Sequence, residues 1–296
     1  MKDTFSNMHP ISNLLFFIIV ISFTMFVMNP VCLVISLLSA LAFALYLNGK
    51  KAVRLSLMYL IPMIILIVVV NPAINHEGVT ILTYLPWGNP LTLESIIYGV
   101  VTAALLSTAV LWFSCLNTVM TSDKFICIFG RIIPSLSLVI SMALRFVPKF
   151  VSQFHLVRQA QKCIGRDISD GSVFQRLKNA LKIISIMITW SLENSIETAD
   201  SMKSRGYGLK GRTSFSIFTF QKRDVVYIIL NIIVCAALLS IIIGGNLSFS
   251  YFPSISGDLT GAYALIYYLL YFIILNLPLF INLREGLKWK HLKSKI

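Results

Sequence analysis

The sequence predicts an all-α polytopic membrane protein, with about six transmembrane helices and a cytoplasmic pair of long amphipathic helices. Hydrophobic residues make up 57% of the chain and charged residues only 12%, a balance that excludes a water-soluble domain. Several apolar runs have the length needed to cross ~30 Å of hydrocarbon as helices. Between Val119 and Arg223 the chain is instead strongly basic and amphipathic, which predicts a separate cytoplasmic region.

Six apolar runs are the candidate membrane spans. They cover residues 11–28, 31–47, 55–70, 96–116, 225–243 and 262–281. A shorter apolar stretch, 132–144, contains Pro134 and is interpreted as an interfacial or buried helix, or as a half-span. The predicted division is therefore an N-terminal membrane domain of four spans (1–118), a cytoplasmic domain (119–223) and a C-terminal membrane domain of two spans with a basic tail (224–296).

Orientation follows from the positive charges, because Lys and Arg are retained on the cytoplasmic side. With the N-terminus inside, all 25 Lys and Arg residues fall in cytoplasmic segments, and the external segments 29–30, 71–95 and 244–261 contain none. Both termini are therefore predicted to be cytoplasmic. The net charge of +13 is explained by this topology and by anionic lipid, so no nucleic-acid partner is expected.

The residues needed for catalysis or metal binding do not form a recognisable pattern. None of the six runs contains an ionisable Asp, Glu, Lys, Arg or His, whereas proton relays and intramembrane enzymes need such groups at depth. The four histidines and five cysteines lack the spacing of metal ligands. There is no phosphate-binding loop. We expect no catalytic residue, no metal and no cofactor, and any ATP hydrolysis must come from another subunit.

The basic block contains two amphipathic stretches that each end in a glycine. In the first, apolar residues including Phe150 and Phe154 recur at helical spacing up to Gly165, which is predicted to act as a left-handed cap. Pro148 is expected to kink or divide this helix, and residues 167–171 are predicted to form a turn.

The second stretch, from Val173 to Arg205, carries an apolar stripe and ends at Gly206. The stripe includes Leu177, Leu181, Ile184 and Ile188. As a helix it would be ~50 Å long, too apolar for free solution and too interrupted for lipid. We predict two long helices that pack on each other and on a second membrane protein, with their C-terminal ends exposed.

The order of short motifs in this region resembles that of the transmembrane T component of energy-coupling factor importers, a branch of the ABC transporters. The resemblance covers about residues 90–215. It is carried by Met-Ala-Leu-Arg-Phe-Val-Pro at 142–148, Gln-Ala-Gln-Lys-Cys-Ile-Gly at 159–165, Ser-Met-Lys-Ser-Arg-Gly-Tyr-Gly at 201–208 and Gly-Arg-Thr at 211–213.

This resemblance implies a function that the residues alone do not. In that family an Ala-Arg-Gly motif closes each of two coupling helices and docks in a groove of a cytoplasmic ABC ATPase subunit. The same helices hold a membrane-embedded substrate-binding subunit, the S component. The resemblance therefore implies that this chain is a non-catalytic coupling and scaffold subunit. It would lie in a bacterial or archaeal cytoplasmic membrane and serve the uptake of a vitamin or a metal ion.

The family motif carries over unevenly. Ser204, Arg205 and Gly206 match it with Ser in place of Ala, so Arg205 is the implied docking cation. Cys163, Ile164 and Gly165 match only at the glycine. Either Arg166 or Lys162 replaces the missing arginine, or the first docking site is weaker and more apolar. Such asymmetry would suit two non-identical ATPases.

The resemblance also assigns the apolar faces of both helices. Helix packing or S-component binding is implied for Leu177, Leu181, Ile184, Ile188, Phe150 and Phe154. Two other classes of function are weighed against this interpretation. A stand-alone secondary carrier predicts buried ionisable residues or inverted repeats, and a membrane enzyme predicts an acid, base, nucleophile or metal cluster. The sequence shows neither pattern.

Overall fold

The computed structural model describes residues 4–50, 54, 56–84, 90–169, 171–209, 218–244, 247, 249–257 and 259–293. The motif at 211–213 lies outside them. The chain forms two compact units. The first, called the membrane unit, comprises Met1–Phe125 and Phe218–Ile296, and the second, called the hairpin unit, comprises Ile126–Ile217.

The membrane unit is built from apolar helices. Its helices are α1 (Pro10–Phe26), α2 (Pro30–Asn48), α3 (Ile61–Ile74, preceded by a π-helical turn at Ser56–Leu60), α4 (Leu93–Val119), α8 (Lys222–Ile243) and α9 (Ala262–Lys293). In its described residues, strands occur as two short antiparallel pairs: β1 (Ile81–Tyr84) with β2 (Pro90–Thr92), and β3 (Phe249–Ser250) with β4 (Ser256–Gly257).

Local sequence explains where these helices begin. Pro10 and Pro30 occupy the first turns of α1 and α2, where a missing backbone N–H costs nothing. The Asn29 side chain accepts a hydrogen bond from the Val31 N–H at 3.1 Å, and the Asp224 carboxylate accepts one from the Gln221 N–H at 2.9 Å. These side chains satisfy donors that a helix start otherwise leaves unpaired.

The prediction of an all-α polytopic membrane protein is confirmed. Each of the six predicted spans has an apolar helix at its position. The helices α2, α4, α8 and α9 are each at least 18 residues long and apolar enough to cross a membrane. The apolar helices Pro10–Phe26 and Met58–Ile74 are shorter.

Large aromatic side chains fill the centre of the membrane unit. Trp112 on α4 is fully buried, as are the rings of Phe16 and Phe17 on α1. Two polar groups among them are paired: the Trp112 indole N–H donates to Ser36 Oγ at 3.1 Å, and Asn276 Nδ2 donates to Ser39 Oγ at 2.9 Å. Pairing matters here, because an unpaired polar group in a low-dielectric interior costs several kcal/mol.

The chain enters the hairpin unit through α5 (Ser122–Ile132), which is followed by two long helices, α6 (Pro134–Cys163) and α7 (Val173–Ser204). Residues 134–144 are the start of α6 rather than a separate short helix. Pro148 lies inside α6, so of the two predicted outcomes, a kink or a division, it does not divide the helix. The predicted turn is found in the described residues between Gly165 and Ser172.

Candidate functional site

The C-terminal end of α6 has the backbone geometry of a Schellman motif. The Gly165 N–H donates to the Lys162 carbonyl at 2.9 Å, and the Arg166 N–H donates to the Gln161 carbonyl at 2.9 Å. Gly165 has a φ of +75°, a left-handed conformation that favours glycine. We call residues 163–166 the α6 end.

The C-terminal end of α7, residues 204–207, repeats this geometry and is called the α7 end. The Gly206 N–H donates to the Lys203 carbonyl at 2.9 Å, the Tyr207 N–H donates to the Met202 carbonyl at 3.0 Å, and the φ of Gly206 is +73°. The two ends therefore correspond residue by residue, although they differ in sequence.

This correspondence pairs Ile164 with Arg205. Ile164 has φ −92° and ψ 7°, and Arg205 has φ −82° and ψ 7°. Both side chains are exposed, Ile164 to 65%. The same backbone thus presents an apolar side chain at one end and a cation at the other. Cys163, the residue before Ile164, is a free, exposed thiol and pairs with Ser204.

The same alignment compares the two candidate replacements for the missing arginine. Lys162 corresponds to Lys203, and each lies in the last turn of its helix, where a cation interacts favourably with the helix dipole. Arg166 corresponds to Tyr207. Both ends therefore have a lysine in the last helical turn. Only the α6 end has a cation, Arg166, directly after its glycine.

The two ends lie at opposite ends of α7. The α6 end is followed by a short connection into Val173, the first residue of α7, whereas the α7 end follows its last residue, Ser204. The 32 residues of α7 give a helix ~48 Å long. One hairpin therefore presents two similar exposed helix ends that are separated by about the length of α7.

Asp167 organises the connection between α6 and α7. Its carboxylate accepts hydrogen bonds from the Ser169 hydroxyl at 2.6 Å and the Ile168 N–H at 2.7 Å, and it lies 3.4 Å from Arg158 Nε. Its backbone carbonyl accepts from Asn179 Nδ2 at 3.0 Å. Asp167 is therefore bonded to α6, to α7 and to its own loop.

These contacts also change the acidity of Asp167. The hydrogen bond from Ser169 is the largest cause, with further contributions from the Ile168 N–H and Arg158, and together they lower the pKa of the Asp167 carboxyl to about 2. Hydrogen bonds to a carboxylate favour its charged form. The loop behind the α6 end is thus held by a carboxylate that stays ionised at any physiological pH.

One side of α7 packs against α6. Ile183, Met187 and Asn194 are its buried residues. Lys149 on α6 donates to Asn194 Oδ1 at 2.6 Å and lies 5.6 Å from the centre of the Trp190 ring, an attractive cation–π geometry. The ring of Phe150 lies 6.2 Å from that of Trp190, so Phe150 belongs to the contact between the two helices.

The predicted apolar stripe of α7 lies on a different face of the helix from its buried residues, because successive residues such as Ile183 and Ile184 are about 100° apart. Leu177, Leu181, Ile184 and Ile188 are all more than half exposed. Phe154 on α6 is half-buried, with its ring beside His155.

Residues 2–217 match the family model described as the cobalt transport protein CbiQ. That region spans most of the chain and contains both helix ends. The chain belongs to this family. It is thus a multi-pass membrane protein of a transporter family, and the resemblance to the T component of energy-coupling factor importers is confirmed by the relatives described next.

The chain is 34% identical over 113 residues to the energy-coupling factor transporter transmembrane protein EcfT of Lactobacillus helveticus, a match that covers 38% of this chain and 41% of that protein. It is 33% identical over 104 residues to EcfT 1 of Listeria monocytogenes, covering 35% and 39%. These alignments span about two fifths of each relative. The EcfT of Brevibacillus brevis is 28% identical over 242 residues, covering 76% and 88%.

The structure adds residues that sequence reasoning missed. Asp167 had been interpreted only as part of a turn, although an acidic residue among Arg158, Lys162 and Arg166 is a signal for a local ion pair. Lys149 and Trp190 gave no such signal, because their contact depends on how the two helices pack. Within the described residues, no three His, Cys, Asp or Glu side chains are grouped to hold a metal ion.

Proposed function

We propose that this chain is the transmembrane coupling subunit of an ATP-driven importer of the energy-coupling factor type. The α6 end and the α7 end each dock on one of two cytoplasmic ABC ATPase subunits, and an S component in the membrane binds the substrate, a vitamin or a metal ion. The chain itself is not catalytic. Both of its termini lie in the cytoplasm.

One observation carries this proposal: a single hairpin presents the same Schellman geometry twice, at points separated by about the length of α7. Helix caps are common, and one of them would mean little. Two matching exposed ends at this separation fit two copies of similar partners, one at each end. Because its relatives are transmembrane proteins of energy-coupling factor transporters, we infer that the two partners are ATPase subunits.

At the α7 end, Arg205 is the proposed docking cation. It is exposed, and the cap fixes its backbone, so little order is lost on binding. At the α6 end, Ile164 takes the equivalent position and gives an apolar contact. Arg166 is the proposed substitute cation, because Lys162 has a counterpart in Lys203 at the other end.

The exposed stripe of α7 is the proposed S-component face. Leu177, Leu181, Ile184 and Ile188 line one side of α7, next to the side on which Ile183 and Met187 are buried. Large apolar patches on a protein surface usually mark an interface. A membrane-embedded partner fits an apolar stripe of this kind.

The test is co-purification of the affinity-tagged chain with its ATPase subunits in detergent. We expect Arg205→Ala to weaken docking roughly ten- to a hundredfold through the loss of charge-assisted hydrogen bonds. Arg205→Glu should weaken it further if the groove is acidic. Lys182→Glu is the matched control, since Lys182 is an exposed cation of α7 outside both ends. Full ATPase retention by Arg205→Glu would overturn the proposal.

A further inference from the structure

The N-terminal segment, residues 4–9, is anchored deep in the membrane unit. Phe5 is fully buried, and its ring lies 5.4 Å from that of Phe16 and 5.9 Å from that of Tyr227. Its N–H donates to Asn282 Oδ1 of α9 at 2.9 Å. A segment that is held by α1, α8 and α9 at once moves with the membrane unit.

The same segment contacts the chain where it leaves the membrane unit. Lys124, one residue before the boundary at Phe125, is buried. Its ammonium donates to the Ser6 carbonyl, and to the Val119 carbonyl at 2.7 Å. Val119 is the last residue of α4, so the cation also meets the negative end of that helix. With its amide oriented to satisfy both neighbours, Asn13 donates to the Phe5 carbonyl at 3.0 Å and accepts from the Lys124 ammonium at 3.0 Å.

The segment also contacts the chain where it returns. The membrane unit resumes at Phe218, and the ring of Phe220 lies 4.4 Å from that of His9. The backbone N–H of His9 donates to Asp224 Oδ1 at 3.3 Å. Asp224 is itself buried and holds the start of α8 through the Gln221 N–H. Two residues of one short segment, Ser6 and His9, therefore touch both crossings between the units.

From this arrangement we propose that the N-terminal segment is a clamp that transmits movement of the hairpin unit to the membrane helices, with Lys124 and Phe220 as its positioning residues. This proposal rests on the proposed function, since it takes ATPase docking as the source of movement. The chain passes between the units only at these two crossings. A displacement of the hairpin therefore pulls on α5 and on the segment before α8, and the clamp joins both to Phe5.

The experiment measures hydrogen–deuterium exchange in the complex of the full chain with its ATPase subunits, with and without Mg²⁺ and a non-hydrolysable ATP analogue. Peptides from the two helix ends report docking, and peptides covering residues 4–17 report the clamp. The variants are Lys124→Met and Phe220→Ala. Lys288→Met, an exposed lysine of α9, is the control. Phe220 is 46% exposed, so its loss should perturb folding little.

In the unaltered complex we expect the nucleotide to change exchange both at the helix ends and in residues 4–17. In Lys124→Met the change at the helix ends should persist, while the change in residues 4–17 should be largely lost, because the cation that bonds Ser6 and Val119 is gone. Phe220→Ala should act in the same direction, and Lys288→Met should leave both changes intact. A merely structural role would alter exchange equally with and without nucleotide.

The outcomes separate this proposal from the docking function. An unchanged nucleotide response of residues 4–17 in both variants would overturn the clamp alone, as would a response confined to the helix ends in the unaltered complex. No response at the helix ends would overturn the docking function and the clamp with it. If Lys124→Met fails to accumulate, Phe220→Ala decides the question.

Discussion

The membrane unit and the hairpin unit differ in where they place their apolar side chains. The membrane unit buries its largest ones, among them Trp112, Tyr267 and Phe16, inside its own core. In α7 the buried residues are Ile183, Met187 and Asn194, and a longer row of Leu and Ile side chains is exposed. The first unit is stabilised by its own packing. Both units expose apolar side chains, among them Phe26 and Leu269 of the membrane unit. In the amphipathic α7, however, the exposed apolar residues outnumber the buried ones, so much of that surface is available for partners.

The largest expected effect tests the membrane side of this comparison. Trp112→Ala removes a fully buried ring and the hydrogen bond to Ser36, and such truncations cost about 3 to 5 kcal/mol. Leu181→Ala, at an exposed position of α7, should change stability by less than about 0.5 kcal/mol. Thermal unfolding of the purified chain in detergent measures both. Equal losses would show that the exposed stripe is part of the chain's own core.

The second prediction concerns the S component, the proposed partner of the exposed stripe on α7. Ile188→Asn places an amide on the exposed stripe, and burying that amide without a hydrogen bond costs about 1 to 3 kcal/mol, so S-component retention should fall roughly five- to more than a hundredfold. ATPase retention should stay the same.

Thr189→Asn is the control for this prediction. Thr189 is the next residue of α7 and is also exposed, but its side chain is rotated by about 100° away from Ile188. Both variants are scored by co-purification of the S component from membranes. If Ile188→Asn retains as much S component as the unaltered chain does, the S component binds outside the exposed stripe of α7.

The contrast between the units also explains which features the sequence could predict. Gly165 and Gly206 were identified as helix ends because a cap depends on a few neighbouring residues. The packed face of α7 was not identified. Ile183 and Ile184 are adjacent and equally apolar, so periodicity alone cannot say which of them meets α6. That choice depends on how α6 and α7 pack, through contacts such as those of Lys149 with Asn194 and of Phe150 with Trp190.

Long-range polar contacts were beyond the sequence for the same reason. Lys124 meets Ser6 across 118 positions of the chain, and no local pattern connects them. Asp167 lay within reach of sequence reasoning, because its partners Ile168 and Ser169 are its neighbours. The helix caps, which are set within one helical turn, were predicted correctly, whereas the individual side chains that meet between helices were not.

A smaller effect is expected at the α6 end. Ile164→Ala removes an exposed apolar side chain, which forfeits about 1 to 2 kcal/mol of burial in a docked complex, less than the loss expected for Arg205→Ala. Arg166→Ala is the diagnostic variant. If Arg166 supplies the cation of this end, its loss should weaken ATPase docking as much as Arg205→Ala does, measured by the same co-purification. A loss no larger than that of Ile164→Ala would show that the α6 end docks through apolar contact.

The smallest expected effect is the pH dependence of the loop behind the α6 end. Folding lowers the pKa of Asp167 from 3.8 to about 2, so the folded state favours the ionised carboxylate. A lowered pKa contributes stability that is fully present above the unfolded pKa and is lost as the pH falls through the folded one.

We expect the unaltered chain to melt at a higher temperature than Asp167→Asn at pH 5, and the difference to shrink steadily between pH 4 and pH 2. Melting curves of both proteins across this range measure the difference, with Asp200→Asn, an exposed carboxylate of α7, as the control. A difference that is constant from pH 5 to pH 2 would show that the Asp167 charge does not hold the loop, and that its contacts act only through packing.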